Sequence, residues 1–177
     1  MSVFSALKDV TITRWSIQVG VKSILIPVLE ISEIRTPEEK ALLLQSLKGP
    51  LHLAEQKNIS LGLETELPAE QYLALVEDSH SPALGVYYDT GNNAAQGHDI
   101  AADARLLGPH LTGIHVKDRK RGGSSVLLGQ GDADFRGFFT VVKEAGYIGP
   151  VILQSAFGTN YLEIARRHRQ FVEDCLK

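Results

Sequence analysis

Short runs of apolar, largely β-branched residues recur along the chain at Ser23–Val28 (SILIPV), Ile59–Leu63 (ISLGL), Leu84–Tyr88 (LGVYY), Leu111–Val116 (LTGIHV) and Pro150–Leu153 (PVIL). Each is bounded by polar or turn-forming residues and reads as a strand. The segments between them have helical spacing. The first opens on Thr36-Pro37-Glu38-Glu39, which gives an N-cap, a first-turn proline and two acids at the positive end of the helix dipole. Its apolar positions continue through Leu44 and Leu53 to Asn58, and Gly49-Pro50 inside it predicts a kink or a split into two helices. Further helices are predicted over Pro68–Glu77, Ile100–Leu107, Phe135–Ala145 and Asn160–Leu176.

Strand followed by helix, five times over, implies an α/β protein with a parallel sheet and right-handed crossovers, either doubly wound or a barrel. A dinucleotide-binding doubly wound sheet needs G-x-G-x-x-G after a strand. The nearest stretch here, Leu128-Gly129-Gln130-Gly131-Asp132, lacks the third glycine and lies between a basic loop and a helix. Polar residues instead collect at the carboxyl ends of successive strands: Glu64 and Glu66, Asp89 with Asn92, His115 with Lys117 and Asp118, then Gln154. Repetition at strand ends is what a barrel active site requires.

Composition narrows the setting. With 177 residues, 44% hydrophobic and 22% charged, the chain is expected to form one domain over residues 1–177. A net charge of −3 points to a small-molecule partner, not to nucleic acid or an anionic membrane. The single cysteine, Cys175, cannot close an internal disulfide, no apolar run approaches the roughly 20 residues that span a bilayer, and the start is not leader-like, so a cytoplasmic setting is expected.

Glu64, Asp89 and His115 stand at or next to the ends of separate predicted strands, which parallel pairing would bring to one face. Two carboxylates and an imidazole suit a divalent ion such as Mn²⁺, Mg²⁺, Co²⁺ or Zn²⁺ with positions left for substrate oxygens. The alternative is structural: Glu64 and Asp89 cap the following loops, and His115 bonds a backbone carbonyl.

GLETEL around Glu64, YYDTGN around Asp89, GIHVKD around His115 and LGQGDADF before a helix together resemble the second half of the xylose-isomerase-like barrel superfamily. The branch containing hexulose-6-phosphate isomerase, L-ribulose-5-phosphate 3-epimerase and ketose 3-epimerases looks most similar, over roughly residue 15 to the end. The resemblance implies a TIM (β/α)8-type barrel and a divalent metal that chelates ketose oxygens, held by Glu64, Asp89, His115 and a fourth residue after the last strand. It implies proton transfer through a cis-enediolate by carboxylates flanking the carbon, on a sugar or sugar phosphate. Lys117 either aims at a substrate oxygen, tunes a neighbouring carboxylate, or reaches solvent. Asp118 either orients His115 or binds Arg119. Arg119 and Arg121, in the basic loop from Lys117 to Ser125, form a phosphate site or a solvated surface loop. Asn92 and His98 are further candidate substrate contacts, His98 alternatively serving the helix entry beside Asp99.

Two departures from the family pattern stand out. The fourth ligand and second base would be a glutamate, and this chain has Gln154, whose amide still offers an oxygen to a metal or substrate but accepts no proton near neutral pH. A full barrel has eight units in about 250 residues, whereas five units are visible here. They match strands four to eight, with Asp9–Gly20 as the end of the preceding helix. The expectation is an incomplete, open barrel that associates with a further copy of itself. Three functions follow: a divalent-metal-dependent ketose or ketose phosphate isomerase or epimerase impaired in two-base chemistry, a catalytically degenerate metal- or sugar-phosphate-binding member, and an abasic-site endonuclease relative. The last is disfavoured by the few histidines and the acidic charge.

Overall fold

The computed structural model describes residues 11–154 and 159–177. Asp9 and Val10, part of the expected entry helix, lie outside them. By packing, the chain divides between Tyr87 and Tyr88 into two compact units.

The first unit contains helix α1 (Thr11–Gln18), strand β1 (Ser23–Pro27), helix α2 (Pro37–Lys57), strand β2 (Ser60–Glu64) and helix α3 (Ala69–Glu77), and ends within strand β3 (Leu84–Asp89). Helix α2 starts as its sequence dictates: Thr36 Oγ1 accepts the N–H of Glu39, and the Glu39 carboxylate accepts the N–H of Thr36. It stops at Asn58, which takes the left-handed conformation at φ 53°. The expected split at Gly49-Pro50 is not found, and Pro50 lies inside one uninterrupted helix. Leu43, Leu47, Leu51 and Ala54 form a buried stripe on both sides of the proline. Burial of that stripe outweighs one lost backbone hydrogen bond. β1 and β2 run parallel with Ile26 opposite Leu63 and Pro27 opposite Glu64, and β2 pairs in parallel with β3, Leu63 opposite Val86. The buried Tyr72 hydroxyl of α3 donates to the Leu63 carbonyl and accepts the N–H of Tyr87 at 3.2 Å, pinning the helix to both strands.

The second unit takes the end of β3 into helix α4 (Thr90–Gln96), then helix α5 (Ile100–Leu107), strand β4 (Leu111–Val116), a hairpin of β5 (Asp118–Arg119) and β6 (Ser125–Val126), helix α6 (Phe135–Glu144), strand β7 (Val151–Leu153) and helix α7 (Tyr161–Cys175). β4 and β7 are parallel, with His115 opposite Ile152. Tyr88 stacks on Phe138 at 5.4 Å between ring centroids. Helices α5 and α6 each begin at an aspartate cap, Asp99 and Asp134. The five long strands follow the order β1-β2-β3-β4-β7, which is also their order in the chain.

Two elements were not legible in the sequence. Helix α4 follows Asp89 without a loop, and all of Thr90–Ala95 are buried although they are small or polar, so no stripe of large apolar residues marks a helical period. The basic loop after β4 folds back as the antiparallel β5–β6 pair.

Candidate metal centre

Every residue of β2 after Ser60 is buried, and so is every residue of β3. A carboxylate ending either strand is therefore held in a low-dielectric surround, Glu64 at 4% exposure and Asp89 at 1%. His115 belongs to β4, where Ile114 and Val116 on either side of it are fully buried. Alternation along the strand turns the imidazole to the opposite face from those two side chains. Glu64 closes β2 in the first unit, and Asp89 and His115 belong to the second.

Local structure fixes the orientation of Asp89. Its Oδ1 accepts the N–H of Asn92 at 2.7 Å, capping α4, and its backbone carbonyl accepts the side-chain amide of Asn93 at 2.9 Å. Its Oδ2 lies 3.9 Å from His115 Nδ1 and 3.9 Å from Lys117 Nζ. The two residues after Asp89 hold the end of β4. Thr90 Oγ1 accepts the N–H of Lys117 at 3.0 Å and donates to its carbonyl at 2.7 Å. At Gly91 the Lys117 backbone comes so close that a Cβ would sit 2.8 Å from its carbonyl. The D-T-G order thus supplies a cap, a clamp and a clearance.

Of the other expected site residues, Asn92, Arg119 and His98 are engaged with the protein through their side chains, and Arg121 and Gln154 through their backbone N–H groups. Arg119 Nη1 donates to Asn92 Oδ1 at 3.0 Å, while its Nε and Nη2 donate to the Gly123 carbonyl at 3.0 and 2.8 Å. The Arg121 N–H donates to Asp132 Oδ2 at 2.7 Å, and that bond, with the charges of Lys120 and Arg121, holds the Asp132 carboxyl below its ordinary pKa. The exposed Arg121 guanidinium lies over Gly97, whose φ of +88° and lack of Cβ both suit a glycine. His98 Nδ1 faces Asp103 Oδ2 at 3.4 Å, and the same oxygen accepts the Tyr88 hydroxyl at 2.6 Å. Burial is the main cause that raises the Asp103 pKa, with Tyr88 and His98 working against it. Gln154 follows β7 with an exposed side chain, and its N–H donates to the Val116 carbonyl at 3.0 Å.

Asp118 takes neither of its expected partners. Its fully buried carboxylate accepts the N–H groups of Gly129, Gly131 and Ala133. These are the donors with which a glycine loop would grip a phosphate, so the LGQGD stretch grips an internal carboxylate in its place. A buried aspartate followed eleven residues later by a glycine loop is the signal that could have found it.

A sequence model of the family described as xylose isomerase-like TIM barrel matches residues 15–175. The chain belongs to that family. L-ribulose-5-phosphate 3-epimerase of Salmonella paratyphi A is 28% identical over 114 residues, an alignment that spans 61% of this chain and 40% of that protein. A solved L-ribulose 3-epimerase superposes with a TM-score of 0.81 at 18% identity, covering 98% of this chain and 66% of that one. A xylose isomerase-like TIM barrel protein from Mycobacterium smegmatis, solved in complex with magnesium, superposes at 0.74 with 16% identity over 98% of this chain and 66% of that one. The fold is an incomplete TIM barrel with five parallel strands. Among the described residues, no helix is long and apolar enough to cross a membrane.

Proposed function

We propose that this chain carries the metal-binding and proton-transfer part of a divalent-metal-dependent isomerase or epimerase acting on a ketose or ketose phosphate. The observation that carries the reading is the buried pair of Asp89 Oδ2 and His115 Nδ1, 3.9 Å apart, together with a Glu64 carboxylate buried at the end of β2. Two hard carboxylate oxygens and one imidazole nitrogen fit Mn²⁺, Mg²⁺, Co²⁺ or Zn²⁺, and those three residues would hold the ion. When bound, a divalent ion supplies Lewis acidity that stabilises negative charge on adjacent carbonyl and hydroxyl oxygens of a ketose.

Glu64 acts as the base. Its carboxylate takes the proton from the carbon beside the carbonyl, and the released electron pair passes to the carbonyl oxygen, giving a cis-enediolate. Return of the same proton to the other carbon, on the same face, isomerises the sugar. Inversion at one carbon needs a proton from the opposite face, where the residue available after β7 is Gln154. An amide donates no proton at neutral pH, so two-base epimerisation is impaired in this chain. Burial of Glu64 and Asp89 keeps competing water from the carbanionic carbon. The exposed Arg121 is the contact for a substrate phosphate, and the likeness to a ketose phosphate epimerase supports that substrate class.

Elemental analysis of purified protein, followed by a ketose and ketose phosphate screen with Mn²⁺ and with Mg²⁺, tests the reading. Bound divalent metal is expected, and Glu64→Gln is expected to lower turnover by roughly a thousandfold. Protein that takes up no divalent metal would sink the proposal. Gln154 also favours a second reading, a member that binds metal and sugar phosphate without turnover, and that reading stands if metal binds and no substrate reacts.

A further inference from the structure

We infer that the Lys117 ammonium is a built-in counter-charge of this site: it neutralises Asp89 when the site holds no ion, and it competes with an incoming ion for the same oxygen. The inference rests on the metal reading above and assigns Lys117 a role that the catalytic scheme leaves open.

Geometry at Asp89 carries it. Oδ1 is committed to the Asn92 N–H at 2.7 Å. Oδ2 is the atom that faces both His115 Nδ1 and Lys117 Nζ, each at 3.9 Å, with the Asp89 side chain 1% and the Lys117 side chain 20% exposed. An ion held jointly by Asp89 and His115 therefore uses the oxygen that the ammonium faces. A buried carboxylate is costly without a counter-charge, and at this range, away from bulk water, two unit charges interact strongly. Lys117 thus lowers the cost of the ion-free site and raises the cost of loading it.

The placement of Lys117 is built in from its backbone. Its N–H and carbonyl both meet Thr90 Oγ1, and its main chain packs on Gly91, leaving no room for a Cβ there. With its base fixed, only the four-carbon stem is free to swing. Once an ion takes Oδ2, repulsion between like charges drives the ammonium along that stem toward the next negative charge, an anionic oxygen of the substrate. Metal loading and substrate binding are coupled through this one side chain.

The test uses the full chain stripped with chelator and titrated with Mn²⁺, by calorimetry and by thermal melting, in wild type, Lys117→Met, Lys117→Gln and Lys117→Arg. Removing the charge is expected to tighten Mn²⁺ binding by roughly tenfold or more, while Lys117→Arg stays within about threefold of wild type. Without ion, Lys117→Met and Lys117→Gln melt below wild type, and saturating Mn²⁺ raises their melting temperatures by more than it raises that of wild type. A side chain that merely packs would not tighten metal binding when removed. Unchanged or weaker Mn²⁺ binding in both neutral variants overturns the inference and leaves the metal reading standing, as does failure of both to fold even with Mn²⁺ present. Wild-type protein that binds no Mn²⁺ overturns both.

Discussion

Asp118 Oδ2 accepts the backbone N–H of Gly131 at 2.7 Å, an approach that a side chain on Gly131 would block. A Cβ there would overlap the Asp118 carboxyl and come within 2.7 Å of the Arg119 carbonyl oxygen. With Gly129 and Ala133 also donating to this carboxylate, the loop before α6 is folded around a charge that the chain carries itself. That loop in turn holds the basic hairpin: the Asp132 N–H donates to the Arg119 carbonyl, and its carboxylate accepts the Arg121 N–H.

The stability consequence follows from orphaned donors. Asp118→Ala leaves three N–H groups without their acceptor, and a loss of about 3 kcal/mol or more is expected. Gly131→Ala forces the loop off the carboxylate at about 2 kcal/mol. Asp118→Asn keeps the shape and one acceptor oxygen and is expected to lose about 1–2 kcal/mol. Urea denaturation of the three variants measures this. Asp118→Ala within about 0.5 kcal/mol of wild type would mean that the loop finds other partners.

A second expectation concerns acid. His168 on α7 is 2% exposed, and its Nε2 accepts the N–H of Leu128 at 3.3 Å. Burial, and then the charge of Arg167, depress its pKa below the ordinary 6.5. The native state therefore holds the ring neutral over an interval in which the unfolded chain binds a proton, so stability rises with pH there. His168 contributes fully above 6.5, and its contribution is lost as the pH falls through the depressed value. Protonation also turns Nε2 into a donor facing a donor. Urea stability is expected to fall as the pH drops from about 7 through the depressed value, with part of that slope absent in His168→Gln. An identical slope in the variant would assign the acid loss to other groups.

How far the sequence led depended on whether a signal was local. The five strands and most helix ends were legible because each is written within a few residues: Thr36 and Glu39 close a capping box, and Asp99 caps α5. Glu64, Asp89 and His115 could be grouped because parallel pairing carries strand ends to one side of a sheet. The roles of Asn92, Arg119 and Asp118 were not legible, since each depends on a partner 11 to 27 residues away. A polar residue near a site reads as a substrate contact until its partner is seen. The split expected at Pro50 fails for the opposite reason, because its local penalty is overridden by Leu43, Leu47, Leu51 and Ala54, buried along the same helix.

The last expectation concerns the residue after β7. Parallel register sets Val116 opposite Leu153, and the Gln154 N–H reaches the Val116 carbonyl at 3.0 Å, so residue 154 stands one place beyond the strand that carries His115. Its side chain is exposed, and exchanging one amide nitrogen for oxygen there disturbs no packed group. Gln154→Glu is therefore expected to leave stability within about 0.5 kcal/mol of wild type. Under the proposed mechanism a carboxyl at this position supplies the acid that inversion from the opposite face requires, and C3 epimerisation of a ketose phosphate is expected to rise by roughly a hundredfold. Single-face isomerisation, for which Glu64 is the proposed base, should change by less than about threefold. Proton NMR in deuterated water follows both reactions in one sample, because inversion leaves deuterium at the inverted carbon while single-face transfer returns part of the original hydrogen. Wild-type protein that already epimerises as fast as Gln154→Glu would show that the amide does not limit the chemistry, and that the second proton reaches the substrate by another route.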